Sequence, residues 1–502
     1  MTLMSIGPEA ALLAIIIPAL ASLLILLSDK HPDIREGWTL LASVLCFLSV
    51  ITLVPVILNG DDIEYTLFNI YPGLSIAYNV DAFGLIFAIT SSSLWILVSI
   101  YSIGYMRTLN EHAQTRFYFC FAWAIFGALG IAFSKNLVTM YLHYEILTIS
   151  TYPLVAHLET PEACAAGRKY LYYLLTSGCF FFIAIIVTYW LCGTTDFKPG
   201  GILSLASGSA LLLQALFLCY LLGFMKAAWM PFHSWLPTAM IAPTPVSALL
   251  HAVAVVKAGV FGIIRVVCYI YGIDLMHALN LGIFLASLVS ITVIMANLFA
   301  IGEDNLKRRL AYSTINQLSF ILLGVAMLDP MGIMGGMMHI PFHGYMKITL
   351  FLCAGAIMAI TGKENISEMA GIGRKMPITM IAFTVGALGM CGLPPAAGFI
   401  SKWYICMGTI DAGMLIFLAV ALVASILDAV YFFPIIKTAF FDEGNFDERD
   451  SGYMERSRAI YLFMIIPLAI TAIFSVILCF APDTLHVFEL GRLAMINLFG
   501  GV

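Results

Sequence analysis

Residues 334–361 read MGGMMHIPFHGYMKITLFLCAGAIMAIT, and this stretch decides how the chain folds. It is longer than the roughly 20 mostly apolar residues that carry a helix across a bilayer. Three of its side chains are out of place in lipid: His339, His343 and Lys347. They recur at i, i+4 and i+8, so a helix stacks them as one polar stripe on an otherwise apolar surface. Pro341, between the histidines, removes a backbone donor and is expected to bend the helix there. Titratable groups inside a membrane helix are costly and point to an ion or proton path. The structural alternative is three side chains that simply hydrogen-bond to neighbouring helices.

The rest of the chain agrees with a membrane setting. Of 502 residues, 61% are hydrophobic and 11% charged, against about 45–50% and about 25% in soluble proteins. No basic patch with interleaved aromatics occurs, which argues against a nucleic-acid partner. The 11 cysteines form no C-x-x-C pair or haem-attachment motif, and the 10 histidines no H-E-x-x-H spacing. No resident cofactor or metal is therefore expected. The first apolar run, residues 10–27, has no basic flank before it and reads as a membrane helix rather than a signal peptide.

Apolar runs between polar punctuation predict an all-α polytopic membrane protein with about fourteen transmembrane helices. Two runs, 79–106 and 377–408, are long enough to be tilted or broken. Basic residues test the reading. Fifteen of the 24 fall in alternate connections, such as 301–309 and 441–458, three on the opposite side and six within the runs. The positive-inside rule then places both termini outside the cytoplasm.

Of the six, Arg265 and Lys437 lie near helix ends, where long side chains reach the interface. The others are deep. Glu145 is the one acid in the run 137–156, and a buried carboxylate needs a cation or a proton. Lys226 precedes Pro231, which breaks its helix. Lys257 follows His251 by six residues, so the two do not share a helical face but can flank one cavity. Lys402 follows the Pro394–Pro395 break, and Asp428 is a further lone acid. Broken helices at matching places in two inverted halves are the sequence pointer to a transporter's ion site. Residues 114–272 (helices 4–8) and 273–440 (helices 9–13) are read as inverted five-helix repeats. Helices 1–3, residues 1–113, precede them, and a cytoplasmic loop, helix 14 and a short C-terminal segment, residues 441–502, follow.

Residues 226–265, from KAAWMPFHSWLP through APTPVSALLH to KAGVFGIIR, resemble the antiporter-like subunits of respiratory complex I, the Mrp cation/proton antiporters and the energy-converting hydrogenases. KRRLAYSTI at 307–315 and GLPP through GFISKW at 392–403 resemble further signatures of that family. The likeness covers about residues 75–440, and His339–Gly355 with 366–377 looks nearest the Mrp D subunit. The longest complex I antiporter-like subunit fits less well, because only about twenty residues follow Phe480.

The resemblance implies a proton path: Glu145 pairs with Lys226, His251 and Lys257 continue the path, Lys347 joins the two half-channels, and Lys402 stands at the exit. His339 and His343 extend the polar stripe beside Lys347. It also implies an inner-membrane, multi-pass subunit with homologous membrane subunits as partners, moving H+, with Na+ as the candidate second cation of an antiport. Desolvation and a neighbouring carboxylate act oppositely on a lysine's proton affinity, so opening or closing the Glu145–Lys226 pair would drive the transfer. Two other classes compete: a membrane subunit of a quinone- or hydrogenase-linked oxidoreductase, and a self-sufficient secondary antiporter. No flavin, haem or iron–sulfur motif supports electron chemistry in this chain itself.

The topology is open to direct measurement. Single cysteines placed in 301–309 or 441–458 are expected to label from the cytoplasmic side, and those in 58–78 or at the C-terminus from outside. Labelling of 301–309 from outside would overturn the assignment.

Overall fold

A computed structural model describes residues 8–443 and 458–500. The connection 441–458, expected on the cytoplasmic side, lies mostly outside these residues. Two long apolar helices, α1 (Pro8–Leu27) and α2 (Pro32–Leu58), open the chain. An antiparallel hairpin follows, β1 (Ile63–Tyr71) and β2 (Leu74–Val80). The helical class holds, and this ribbon is an addition to it. Then come α3 (Ala82–Thr108), α4 (Gln114–Ala132), α5 (Leu137–Val155), α6 (Pro161–Cys192) and α7 (Ala210–Gly223). After an irregular segment the chain forms the short helices α8 (Trp235–Thr238) and α9 (Thr244–Ala248), a π turn, and α10 (Val255–Arg265). The second half holds α11 (Ile273–Ala278), α12 (Leu281–Gly302), α13 (Leu306–Ala326), α14 (Pro330–Thr361), α15 (Ile372–Lys375), α16 (Pro377–Cys391), α17 (Gly398–Asp411) and α18 (Leu415–Phe440). Helices Arg458–Phe480 and Val487–Phe499 close the described chain.

Local chemistry sets the helix starts. Asn136, Thr160, Asn305 and Asp329 each accept a backbone N–H in the first turn of the helix they precede, which satisfies donors that have no intrahelical partner. Ten described helices are long and apolar enough to cross a membrane. The outer ones show lipid-type faces, with Leu415, Ile416, Leu422 and Ile426 of α18 and Trp190 of α6 all exposed. Such a girdle has no place in water.

The centre is different. The segment from α9 through the second π turn, Thr244–Tyr271, is buried along its whole length. Around it pack α3, α13 and α14, and α14 also meets α16, α17 and Arg458–Phe480. The run 79–106 proves to be the end of β2 followed by one unbroken helix. The run 377–408 is broken between α16 and α17, and the other break lies between α7 and α8. Each break carries a cis X–Pro bond, Met230–Pro231 and Pro394–Pro395. Pro341 sits inside α14 without ending it.

Arg265 departs from the expectation that it reaches the interface. It is buried, and its guanidinium donates to both carboxylate oxygens of Asp81 at 2.5 and 2.7 Å. Asp81 also caps α3, accepting from Gly84 N at 2.7 Å. The hairpin delivers this carboxylate to the end of α10, so the cation has a fixed partner and no need of solvent. Lys437 is exposed as expected, with Asp442 at 3.9 Å.

At the centre, α10 packs tightly against the first break. A Cβ on Gly259 would lie 2.2 Å from Ala227 N and 2.6 Å from the Lys226 carbonyl carbon. Gly259→Ala is therefore expected to cost about 1–3 kcal/mol, the range for an overpacked core, and to lower the melting temperature of the purified protein. Gly302→Ala, with nothing within 4 Å of the added methyl, is expected to leave it unchanged.

Candidate functional site

Both breaks leave backbone groups that the low-dielectric interior must satisfy. At the first, Gly223 O accepts from Tyr144 Oη at 3.1 Å and from Ser177 Oγ at 2.6 Å, and Met225 N donates back to Ser177 Oγ. Met225 O accepts from Trp235 Nε1 at 3.2 Å. At the second, Met390 O accepts from Lys402 Nζ at 2.6 Å and from Gln317 Nε2 at 3.3 Å. Polar side chains from neighbouring helices thus converge on both places, and the expected site residues lie among them.

Lys226, His251, Lys257, His339, His343 and Lys347 are fully buried and Lys402 nearly so. Lys226 sits on the short turn Met225–Ala227, donates to Tyr144 O at 2.5 Å, and lies 3.2 Å from the centre of the Tyr144 ring. Glu145, the next residue along α5, is half-buried, and its Oε1 has no hydrogen-bond partner. The carboxylate rests on Gly178, where an added Cβ would stand 2.2 Å from Oε1. Lys226 is its principal charged neighbour. The two are close but not joined by a direct ion pair, because Lys226 is turned onto the Tyr144 carbonyl and ring.

The centre of the bundle holds a more continuous arrangement. Lys257 Nζ lies 2.6 Å from His343 Nδ1. The His343 and His339 rings are 5.8 Å apart and nearly parallel, one helical turn from each other on α14. His339 Nε2 is 3.1 Å from Gln317 Oε1, and its Nδ1 is 2.7 Å from Ser401 Oγ. Gln317 Nε2 donates to Asp428 Oδ2 at 2.9 Å, and Lys402 Nζ donates to the same oxygen at 2.9 Å. Lys347 enters from the side, donating to Ser313 Oγ at 2.8 Å. Ser313 also touches the Tyr431 hydroxyl, which donates to Asp428 Oδ1 at 2.5 Å. His251 lies against the Phe351 ring, with its Nδ1 2.9 Å from Thr314 Oγ1, and it and Lys257 both feel the charge of Lys347.

The structure therefore brings together Lys257, His343, His339, Lys347 and Lys402, sets His251 beside them, and leaves Glu145 and Lys226 as a separate group. No hydrogen bond joins Lys226 to Lys257 among the described residues. Sequence reasoning missed the connectors. Gln317, Ser313 and Asn316 stand on α13, and Asn316 donates to Asp428 at 2.7 Å. Uncharged polar residues give no warning in a sequence, although a helix as polar as α13 amid apolar neighbours was a usable sign. Asp428 stood out as a lone acid, but its partner did not. His143, buried two residues before Glu145 with its Nδ1 3.0 Å from Thr139 O, was also missed.

The signature of a transmembrane family described as NADH:quinone oxidoreductase/Mrp antiporter matches residues 134–428. The chain belongs to this family. NADH-quinone oxidoreductase subunit N of Desulforudis audaxviator is 31% identical over 436 residues, covering 86% of each chain. Na(+)/H(+) antiporter subunit A1 of Staphylococcus aureus is 28% identical over 94% of this chain, which spans 61% of that longer protein. Chloroplastic NAD(P)H-quinone oxidoreductase subunit 5 of Citrus sinensis is 31% identical, with 59% of its length spanned. The fold matches a chain of the Mrp complex from Dietzia sp. DQ12-45-1b with a TM-score of 0.87 at 22% identity, over 99% of this chain and 98% of that one. This family member is thus an antiporter-like, multi-pass membrane subunit by fold and by descent.

The Lys402–Asp428 pair offers a measurement of what the buried network is worth. Removing one partner leaves the other charge buried, so Asp428→Ala is expected to cost about 3–5 kcal/mol. Lys402→Met combined with Asp428→Ala is expected to lose clearly less than the two single changes added together. Thermal unfolding of the four proteins in detergent closes the cycle, and additive losses would mean that the pair contributes nothing.

Proposed function

We propose that this chain is a proton-translocating membrane subunit of a multisubunit complex, moving protons through the row of Lys257, His343, His339, Gln317, Asp428 and Lys402. The observation that carries this reading is the continuity of that row: every link but the stacked histidines is a hydrogen bond, and all of it is buried. A titratable series held in an apolar bundle at hydrogen-bond spacing is a proton relay in form.

Glu145 and Lys226 form the entry group, and motion of the Lys226 side chain between the Tyr144 carbonyl and the Glu145 carboxylate is the gating step. His251, Lys257 and Lys347 make the central transfer. Lys402 is the exit group, and it borders a cleft of ≈ 520 Å³ lined by Leu393, Phe399, Trp403 and Ile426. The chain crosses the membrane fourteen times in this reading. Ten crossings are the long apolar helices, two are the more polar α5 and α13, and two are the broken pairs α7–α8 and α16–α17. Residues 114–272 and 273–440 form the two inverted repeats, each with one break, in a subunit of the D type. Both termini face away from the cytoplasm, and Na+ is the second cation of an antiport with neighbouring subunits.

Lys347 gives the sharpest test. An isolated ammonium is costly in a dry interior, so a lysine there can exchange its proton with Ser313 and the groups beyond it. A guanidinium keeps its charge and effectively never deprotonates. Lys347→Arg is therefore expected to be as damaging as Lys347→Ala, each losing on the order of 100-fold in rate, as loss of a proton-transfer group does. The measurement is proton uptake by liposomes holding the reconstituted complex at matched protein levels. Near-normal uptake with Lys347→Arg would assign this lysine a structural role.

A further inference from the structure

The turn between α3 and α4 and the turn between α5 and α6 meet on one rim of the bundle, away from the buried row. They bring Glu111, His112 and His157 together, with one ligating atom of each within 4.8 Å of the others. His157 Nε2 lies 3.9 Å from Glu111 Oε2, and His112 Nδ1 lies 4.0 Å from the same oxygen. The two imidazoles stack, with centroids 5.0 Å apart. Glu159 Oε1 stands 4.0 Å from His112 Nε2.

His157 is the telling residue. It is 0% exposed, and neither ring nitrogen has a well-formed hydrogen bond, although the His112 backbone lies near the ring. A buried imidazole normally finds a partner for at least one nitrogen. Burial, with the charges of Arg116 and His112 after it, pushes His157 down to about 4. The ring is therefore neutral near pH 7, the form that metals bind. Burial likewise raises Glu111, against the opposing pull of His112 and Lys307. Arg116 does not fill the gap: it is committed to Glu159 and to the His157 carbonyl, the latter at 3.0 Å. His112 and Glu159 have about half their side chains in solvent, 47% and 57% exposed, so an ion has a way in.

We propose that Glu111, His112 and His157 form a site for a divalent transition-metal ion of the zinc type, pinning the α3–α4 turn to the α5–α6 turn. Two imidazoles and a carboxylate suit zinc, whereas calcium and magnesium take oxygen ligands. Zinc bonds of about 2.0–2.2 Å need the three ligating atoms to close in by roughly an ångström, which side-chain rotation of Glu111 and the exposed His112 supplies. Water completes the tetrahedron. The site is independent of the proton row.

The test uses Co2+, which reports on tetrahedral sites by its visible absorption, added to the purified, chelator-treated complex. The wild type is expected to take up one Co2+ per copy of this chain with visible bands that Zn2+ abolishes. His112→Ala, which removes a half-exposed ligand and one ring stack, and His157→Gln are each expected to weaken binding by more than about 100-fold, beyond the cost of losing an outer-shell partner. His277→Ala, on α11, is expected to change nothing. Absence of the bands in the wild type, or unchanged binding in His112→Ala, would overturn the proposal whatever the fate of His157→Gln.

Discussion

A backbone that leaves the helical ladder inside an apolar bundle must have its freed carbonyls and amides met by side chains, because no bulk water is present to do so. Two breaks impose this constraint here, and much of the polar architecture answers to them. Tyr144, Ser177 and Trp235 serve the first break. Lys402 and Gln317 serve the second by donating to Met390 O. The supports of the second break, Lys402 and Gln317, double as members of the polar row.

The two breaks are not equivalent in what they hold. Lys402 is clamped between a carbonyl and Asp428, whose two oxygens accept from Asn316, Gln317, Lys402 and Tyr431. Its carboxylate is saturated, which makes it a rigid anchor of the second half. Glu145 has a buried oxygen with no partner and a lysine that points elsewhere. One half thus holds a closed ion pair and the other an open one, and a protein that must move a charge needs at least one site that is not already satisfied.

Close packing leaves these positions little room to shift. Gly259 lets α10 touch the Lys226 turn, and Gly178 leaves room for the Glu145 carboxylate. Interiors at this density transmit small displacements rather than absorb them. A shift of α10 or α6 therefore bears directly on Lys226 or Glu145.

Much was legible in the sequence, for a physical reason: lipid admits few polar residues, so each lysine or acid in an apolar run stands out. That penalty exposed Glu145, Lys226, Lys257, Lys347, Lys402 and Asp428, and helical periodicity placed His339, His343 and Lys347 on one face of α14. Prolines marked the breaks for the same reason, since a missing N–H matters most where nothing replaces it. What sequence alone could not determine was who meets whom. The Lys257–His343 contact spans 86 positions and the Gln317–Asp428 contact 111, and the pairing depends on how α10, α13, α14 and α18 pack. Arg265 was misread because its partner, Asp81, lies 184 positions away on a hairpin that was not foreseen. Glu111, His112 and His157 follow no ligand spacing along the chain, and only the meeting of two turns makes them a cluster. The cost of a buried charge is a property of the residue and its neighbours in sequence, whereas the partner that offsets it is a property of the tertiary fold.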